Sequence, residues 1–145
     1  MPRQIDEGTH FMNVDLDIYS MSDLQPLVTA LGERVYVLPP PQSYEAHLEL
    51  TCELEGADGA IRKFAALIDA LPGAQREIWD AAKSRDFNIG VQTAVKPVYY
   101  VMPLSCEAVE AAARLNARIV FTVYPPEATK EVVWKKRAPA GGKGR

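Results

Sequence analysis

Five side chains that could do chemistry recur at every second position in two short segments of the chain. The first segment carries Asp15 and Asp17, and the second carries Glu45, His47 and Glu49. On a β-strand, residues two apart lie on the same face, about 7 Å from each other. Carboxylates and an imidazole gathered in this way could bind a divalent metal or form an acid–base pair. The same spacing is also typical of the solvated face of a half-exposed strand, so the pattern leaves both interpretations open.

Two strands are needed to position these side chains. Residues 13–19 alternate apolar and polar side chains, and so do residues 43–54, which predicts two half-buried strands. The apolar positions of each strand would face the core, and the acids and His47 would face outwards. If both strands belong to one sheet, their acids share one open face.

The rest of the chain predicts an α+β fold with a single mixed sheet. The element order is β-α-β-β-α-α-β-β-α-β, because alternating segments are separated by segments in which apolar residues have helical spacing. Helices with one apolar stripe and strands with one apolar face are typical of a sheet that carries its helices on one side. The short connection at residues 39–42 predicts an antiparallel step. The six predicted strands are residues 13–19, 34–38, 43–54, 87–93, 98–102 and 118–124.

The two ends of the predicted domain resemble each other. The segment from Leu31 to Val35 aligns with the segment from Leu115 to Ile119, which brings Gly32 onto Asn116. Gly and Asn are the residues that best tolerate the left-handed conformation in which many helices end. The alignment predicts an internal βαβ repeat, which arises either by duplication or because both segments obey the same packing rules.

The repeat also places aromatic and aliphatic side chains on the same open face as the acids. Asp15 aligns with Tyr99, and alternation places Tyr36 and Tyr124 on the outward side of their own strands. An apolar patch of this kind is unusual on the surface of a monomer. The segment Val132 to Trp134, a second subunit or another protein could cover it. The predicted binding surface comprises Asp15, Asp17, Tyr36, Glu45, His47, Glu49, Tyr99 and Tyr124.

Charge is distributed unevenly along the 145 residues, whose formal net charge is −3. Residues 1–55 carry ten acids and two bases, whereas residues 135–145 carry five bases and no acid. The acidic body argues against nucleic-acid binding, since recognition of phosphates needs a basic face. A protein partner with a basic surface fits this body better, because opposite potentials accelerate and orient docking.

Length and apolar content fit one globular domain with its own core. We expect a flexible leader over residues 1–11, the domain over residues 12–126, and an extension over residues 127–145 with a basic, disordered end. No apolar run is long enough to span a membrane, and no secretory signal is visible. Cys52 and Cys106 make neither a disulfide framework nor a zinc site, which predicts reduced thiols in the cytoplasm.

The sequence lacks the motifs that identify the commonest enzyme classes. It has no glycine-rich dinucleotide or phosphate loop, no serine nucleophile motif, no paired-histidine zinc motif and no closely spaced cysteine pair. We therefore expect no cofactor and no metal, and a protein that works by binding rather than by catalysis.

A set of short structural motifs runs through the predicted domain: Val14–Ile18, Asp23–Leu24, Leu71–Pro72, Trp79–Asp80, Phe87–Gly90 and Val120–Tyr124. With these motifs, residues 12–126 resemble a group of small bacterial proteins that are classed as a domain of unknown function. The resemblance brings no catalytic residue with it. It implies an immunity-like role, in which a small acidic protein neutralises a basic nuclease toxin by binding it.

We therefore expect a non-enzymatic, cytoplasmic protein that binds a partner through its acidic and aromatic sheet face. Two alternatives are open on the sequence. One is a metal-dependent hydrolase that uses Asp15, Asp17 and His47. The other is a homodimeric structural protein that has no small-molecule site and whose sheet face is covered by the second subunit.

Overall fold

The computed structural model describes residues 8–95 and 99–126, and the predicted extension over residues 127–145 lies outside them. Strands form where apolar residues alternate, and helices form where they recur every three or four positions. None of the helices in the described ranges is long and apolar enough to cross a membrane. The elements there are β1 (His10–Tyr19), α1 (Gln25–Leu31), a 3-10 turn (Gly32–Arg34), β2 (Val35–Val37), β3 (Glu45–Leu50), α2 (Ala57–Asp69), α3 (Gly73–Ala81), β4 (Ser84–Gln92), α4 (Cys106–Arg114) and β5 (Arg118–Tyr124).

The strands of the described residues form one mixed sheet in the order β2-β3-β1-β4-β5. Neighbouring strands are antiparallel except β4 and β5, which are parallel. The strands that α1 connects are separated by β3, and the strands that α2 and α3 connect are separated by β1. This is the split βαβ arrangement of ferredoxin-like domains, with α4 and β5 added. The predicted α+β class, the single mixed sheet and the antiparallel step after β2 are confirmed.

The prediction of six strands is not confirmed, because the described residues contain five. Residue 98 of the predicted strand at 98–102 lies outside the described ranges, and residues 99–102 form no strand. Tyr100 instead reaches the end of the sheet, where its hydroxyl accepts a hydrogen bond from the Phe11 backbone N–H at 3.1 Å. Alternation makes a segment amphipathic, but a strand also needs a neighbour to pair with, and residues 99–102 pair with no strand of the described sheet.

The internal repeat is not confirmed, because it requires a strand at residues 98–102 before α4. In the structure, α4 connects β4 to β5, which are adjacent and parallel. The turn residues still correspond, since Gly32 and Asn116 both have a positive φ, 66° and 60°. Both helices are thus followed by a residue with a positive φ, which Gly and Asn adopt more readily than other residues, and this shared need accounts for the match at this turn without duplication.

The hydrophobic core lies between the sheet and the helices, with one face of β1 at its centre. Val14, Leu16 and Ile18 are fully buried on that face. The apolar stripe of α2 packs there, and the rings of Phe64 and Phe87 lie 5.8 Å apart. Burial of one such side chain stabilises a fold by about 2 to 3 kcal/mol. The strands therefore turn their apolar residues towards the helices and their polar residues towards the opposite face.

β1 begins at His10, before the predicted start of the strand at residue 13, because a register shift lets the pairing with β4 continue. The shift lies between Phe11 and Asn13, and it brings Asn13 opposite Gly90. A Cβ atom at Gly90 would lie 3.1 Å from Asn13 Oδ1, so the lack of a side chain there leaves room for Asn13. In this way the side chain of Asn13 joins the polar face of the sheet.

Candidate functional site

The register of three neighbouring strands brings the predicted acids together on the polar face of the sheet. Asp15 lies opposite Glu49 of β3, and Asp17 lies opposite His47. On the other side of β1, Asp17 lies opposite Asp86 of β4. Buried apolar residues alternate with polar residues along each strand. This alternation fixes the register, since a shift of one residue would turn the apolar side chains outwards. We call the following side chains the acidic face: Asn13, Asp15, Asp17, Glu45, His47, Glu49, Asp86 and Asn88.

His47 is held between two carboxylates of the acidic face. Its Nδ1 lies 2.7 Å from Asp17 Oδ1, and its Nε2 lies 2.7 Å from Glu45 Oε2. An ionised carboxylate can only accept a hydrogen bond, so this geometry favours the form of the ring in which both nitrogens donate, which is the positively charged form. Burial lowers the pKa of His47, but the hydrogen bonds and charges of Asp17 and Glu45 outweigh burial and raise that pKa above its usual value.

Asp15 and Glu49 form a second cluster, in which two carboxylates share one amide donor. Asn13 Nδ2 donates to Glu49 Oε2 at 2.8 Å and to Asp15 Oδ1 at 3.1 Å. Burial raises the pKa of Asp15 to about 6, and the negative charges of Glu49 and Asp17 contribute to the shift. The carboxyl group of Asp15 therefore takes up a proton at a higher pH than an exposed aspartate does.

β4 and β5 extend the polar network beyond the residues that the sequence analysis selected. Arg118 donates to Asp86 through two parallel bonds, from Nε to Oδ1 and from Nη2 to Oδ2, each 2.8 Å long. Asn88 accepts a hydrogen bond from Thr122 Oγ1 at 2.7 Å and makes a longer contact of 3.4 Å to Asp17 Oδ2. Side chains of β3, β1, β4 and β5 are thus linked across the sheet.

The sequence contained a signal for the residues of β4 that were missed. Asp86 and Asn88 alternate with the buried residues Phe87 and Ile89, which is the same pattern that located the acids of β1. The strand was predicted to begin at residue 87, and this left Asp86 outside it. Arg118 had no such signal, because its role depends on the pairing of β4 with β5.

The predicted aromatic residues lie apart from one another. Tyr36 of β2 lies opposite Glu49 and is 53% exposed, whereas Tyr124 of β5 lies opposite Gln92 and is 45% exposed. These strands are the two outer strands of the described sheet, about 19 Å apart at the usual strand spacing. Tyr99 does not reach the sheet, because its predicted strand does not form, and it is 75% exposed ahead of α4. The tyrosines therefore flank the acidic face instead of forming one patch.

The acidic face carries more negative than positive charge. Its five carboxylates, on Asp15, Asp17, Glu45, Glu49 and Asp86, surround the imidazolium of His47, and Arg118 adds one guanidinium at its margin. The negative field extends to Tyr19, whose ring centroid lies 5.7 Å from that of His47 in an edge-to-face arrangement. Burial raises the pKa of Tyr19, and the charges of nearby carboxylates raise it further.

This arrangement favours recognition of positive charge over metal binding or acid–base catalysis. Among residues 8–95 and 99–126, no group of three or more His, Cys, Asp or Glu side chains is arranged to hold a metal ion. Both ring nitrogens of His47 contact carboxylates, so the charged ring that this geometry favours has no lone pair to offer to a metal or a proton. The carboxylate oxygens still point towards solvent in part, where a cation can approach them.

Comparison with protein-family models, with curated proteins and with solved structures found no match to this chain. The resemblance to small bacterial proteins of unknown function therefore stays a prediction. The split βαβ arrangement does not select a function either, since one fold supports many activities. The function of this protein has to be argued from the acidic face itself.

Proposed function

We propose that this protein binds a protein partner through the acidic face, and that the partner presents a basic surface. The observation that carries the proposal is the concentration of carboxylates on three adjacent strands: Asp15 and Asp17 on β1, Glu45 and Glu49 on β3, and Asp86 on β4. Lys and Arg side chains complement such a surface, because charge-assisted hydrogen bonds to carboxylates are short, strong and directional.

A basic partner would reduce the unfavourable free energy of ionising Asp15 in the free protein. The pKa of Asp15, about 6, reflects this cost, because burial and the charges of Glu49 and Asp17 all oppose ionisation. A Lys or Arg placed beside Asp15 lowers that pKa and stabilises the ionised form. Binding near this pKa is therefore coupled to release of a proton, and binding weakens as the pH falls below it.

The flanking tyrosines provide contact area on either side of the charge. Tyr36 lies beside Glu49, so a partner Arg could stack on the ring while its guanidinium pairs with the carboxylate. Tyr124 provides a second exposed ring on the far outer strand. Tyr is enriched among the residues that contribute most to protein–protein affinity, because it buries a large area at a small entropic cost.

An immunity-like role, in which the partner is a basic toxin, is the form of this function that we favour. The resemblance to small bacterial proteins supports it, and so does the excess of acids in residues 1–55. Electrostatic attraction gives the fast association that neutralisation of a toxin requires. Cys52 and Cys106 are free and exposed, which favours a reducing compartment such as the cytoplasm.

Neutralising two carboxylates of the acidic face tests the proposal while keeping the shape of both side chains. The variant is Asp15→Asn/Glu49→Gln. The matched control Glu77→Gln/Glu110→Gln removes the same charge from exposed positions on α3 and α4. Partners are recovered from a lysate of the native host by affinity purification, identified, and then titrated by calorimetry. We expect wild type and control to bind equally, and the face variant to bind about tenfold more weakly or worse.

Two results would contradict this function. One is equal affinity of the face variant and the control for the identified partner. The other is a partner whose contact surface has no excess of Lys and Arg. Circular dichroism of both variants establishes that they are folded, so that a lost interaction is not mistaken for a lost fold.

The alternative, a metal-dependent hydrolase that uses Asp15, Asp17 and His47, has less support from this geometry. His47 donates from both ring nitrogens, and metal binding would require it to lose the contacts with Asp17 and Glu45. Thermal unfolding with Mn²⁺, Zn²⁺ and Mg²⁺ separates the two functions. A large upward shift with one of these ions, abolished in His47→Gln, would favour the hydrolase.

A further inference from the structure

β5 exposes apolar side chains on the sheet face where its neighbour buries them. Phe121 lies beside Ile89 of β4, and Val123 lies beside Val91. Ile89 and Val91 are 0% and 7% exposed, whereas Phe121 and Val123 are 53% and 60% exposed. The helices that the structure describes therefore cover this face of β4, but they leave Phe121 and Val123 of β5 exposed. Adjacent exposed apolar residues of this size often mark a surface that another molecule covers.

The two outer strands of the described sheet differ in how they resist pairing with another chain. β2 is three residues long, so it offers little backbone to a partner, and prolines follow both outer strands, Pro39 to Pro41 after β2 and Pro125 and Pro126 after β5. β5 is seven residues long, has neither proline nor acid, and carries a charge at Arg118 alone. A long apolar outer strand is a template to which a further strand can add.

We propose that β5 pairs with β5 of a second copy of this chain, in antiparallel orientation and centred on Phe121. In this register, Ile119 lies opposite Val123 of the second copy, and Val120 lies opposite Thr122 of the second copy. The two Phe121 side chains face each other at the centre. These pairs join residues of similar size that favour strands, so the middle of the strand is complementary to itself.

Charge and geometry favour a second copy over an unrelated strand. Arg118 lies opposite Tyr124 of the second copy, where the guanidinium can pack on the ring, and no like charges meet along the strand. The two-fold axis is perpendicular to the sheet, so the helices of both copies lie on one side and the acidic faces on the other. Phe121 and Val123 of both copies then continue the hydrophobic core across the junction. This contact uses no carboxylate of the acidic face. It does use Tyr124, so in the dimer Tyr36 is the flanking tyrosine that remains for a basic partner, and the oligomeric state tests this contact separately from the proposed function.

Sedimentation velocity of the full chain tests the proposal. Phe121→Lys/Val123→Lys brings charges together at the contact, and Phe121→Thr/Val123→Thr removes apolar area while keeping residues that favour strands. The matched control Met21→Lys/Tyr44→Lys adds the same charge at positions that are 81% and 58% exposed. We expect wild type and control to form a dimer of the 16.0 kDa chain. We expect both β5 variants to dimerise about tenfold more weakly or worse.

A wild-type chain that stays monomeric over about a hundredfold range of concentration overturns the proposal. In that case β5 is either covered by another segment of the same chain or left uncovered. A dimer that persists in both β5 variants overturns it as well, because the contact must then lie elsewhere. Circular dichroism shows whether each variant is folded. If the Lys variant unfolds, the Thr variant decides the result.

Discussion

Asp15 and His47 of the acidic face both hold a proton more tightly than usual, but for different reasons. For Asp15, burial raises the pKa to about 6, and the charges of Glu49 and Asp17 add to the effect. For His47, burial acts in the opposite direction, and the hydrogen bonds of Asp17 and Glu45 overcome it. The same negative field thus stabilises the charge on His47 and destabilises the charge on Asp15.

Replacing Asp15 with Asn should stabilise the protein near pH 8 and have little effect near pH 4. The pKa of Asp15 is about 6 in the folded protein and 3.8 ordinarily, so the folded state binds the extra proton between these values. The free energy of unfolding of the wild type, compared with that of Asp15→Asn, therefore falls as the pH rises from 3.8 to about 6. Above this window the full cost of ionising Asp15 destabilises the wild type. Allowing for screening by solvent, we expect a gain of about 1 kcal/mol above the window in urea denaturation.

The matched control for this prediction is Glu77→Gln, which removes an exposed carboxylate of α3. We expect the free energy of unfolding of the control to be unchanged at both pH values. A stabilisation by Asp15→Asn that is as large below the window as above it would contradict the assigned pKa, because a neutral Asp15 and an Asn differ little in charge.

Alternation alone predicted that Asp15, Asp17 and His47 face outwards, because the side chains of a strand repeat with a period of two. It did not predict which of them touch. His47 meets Asp17 because β3 pairs with β1 in one particular register. That register depends on residues far apart in the sequence, and on the core that fixes them. The sequence therefore predicts on which face of the sheet a residue lies better than it predicts which side chains that residue contacts.

At the scale of secondary-structure elements, Arg85 joins the ends of β4, α3 and α4. Its side chain is buried, with Nη1 donating to Trp79 O at 2.7 Å and to Ala82 O at 2.9 Å. Its Nε donates to Asn116 O at 3.1 Å. Trp79 and Ala82 lie at the end of α3, where the Trp79 carbonyl also accepts from the Ala82 backbone N–H at 3.1 Å, and Asn116 follows α4. One rigid, planar guanidinium on β4 thus bonds to three carbonyls at the ends of two helices.

Replacing Arg85 with Lys should destabilise the fold by about 2 to 4 kcal/mol, because Lys keeps a buried charge but cannot reach all three carbonyls. The matched control is Arg62→Lys on α2, where Arg62 makes an exposed ion pair of 2.7 Å with Asp58. We expect the control to have a much smaller effect, since exposed ion pairs contribute little. Urea denaturation measures both, and equal losses would show that the carbonyl contacts of Arg85 do not hold these elements together.

The existence of most strands was predictable, but their number and neighbours were not. Alternation reports that a segment is amphipathic, and this was sufficient for residues 118–124, which pair with β4. Residues 99–102 have similar side chains and form no strand, because they pair with no strand of the described sheet. The strand order β2-β3-β1-β4-β5 depends on contacts between distant segments, which hydropathy does not encode.

At the scale of the whole molecule, the fold gathers acids that are spread along the first third of the sequence onto one surface. Asp15, Asp17, Glu45 and Glu49 are four of the ten acids in residues 1–55, and the sheet brings them onto one face. Pairing of β5 with a second copy would place two such faces on the same side of one continuous sheet. A basic partner could then contact both copies, which would raise its apparent affinity without any new contact in either copy.

Repulsion within this surface also makes the stability of the free protein depend on salt. The Debye length falls from about 30 Å at 0.01 M salt to about 8 Å at 0.15 M, which weakens repulsion between carboxylates on different strands. The attractive contacts are less affected, because His47–Asp17 and Arg118–Asp86 are direct hydrogen-bonded pairs of 2.7 and 2.8 Å. The net effect of added salt near pH 8 is therefore stabilising.

We expect the midpoint of thermal unfolding to rise by about 2 to 5 °C between these two salt concentrations, measured by differential scanning calorimetry near pH 8. The control Glu77→Gln/Glu110→Gln should show the same rise, because its charges lie on the exposed sides of α3 and α4. The face variant Asp15→Asn/Glu49→Gln should show a clearly smaller rise, because it lacks the most crowded pair of carboxylates. An equal rise in the face variant and the control would assign the salt effect to the net charge of the whole chain. The acidic face would then hold no excess repulsion for a basic partner to relieve.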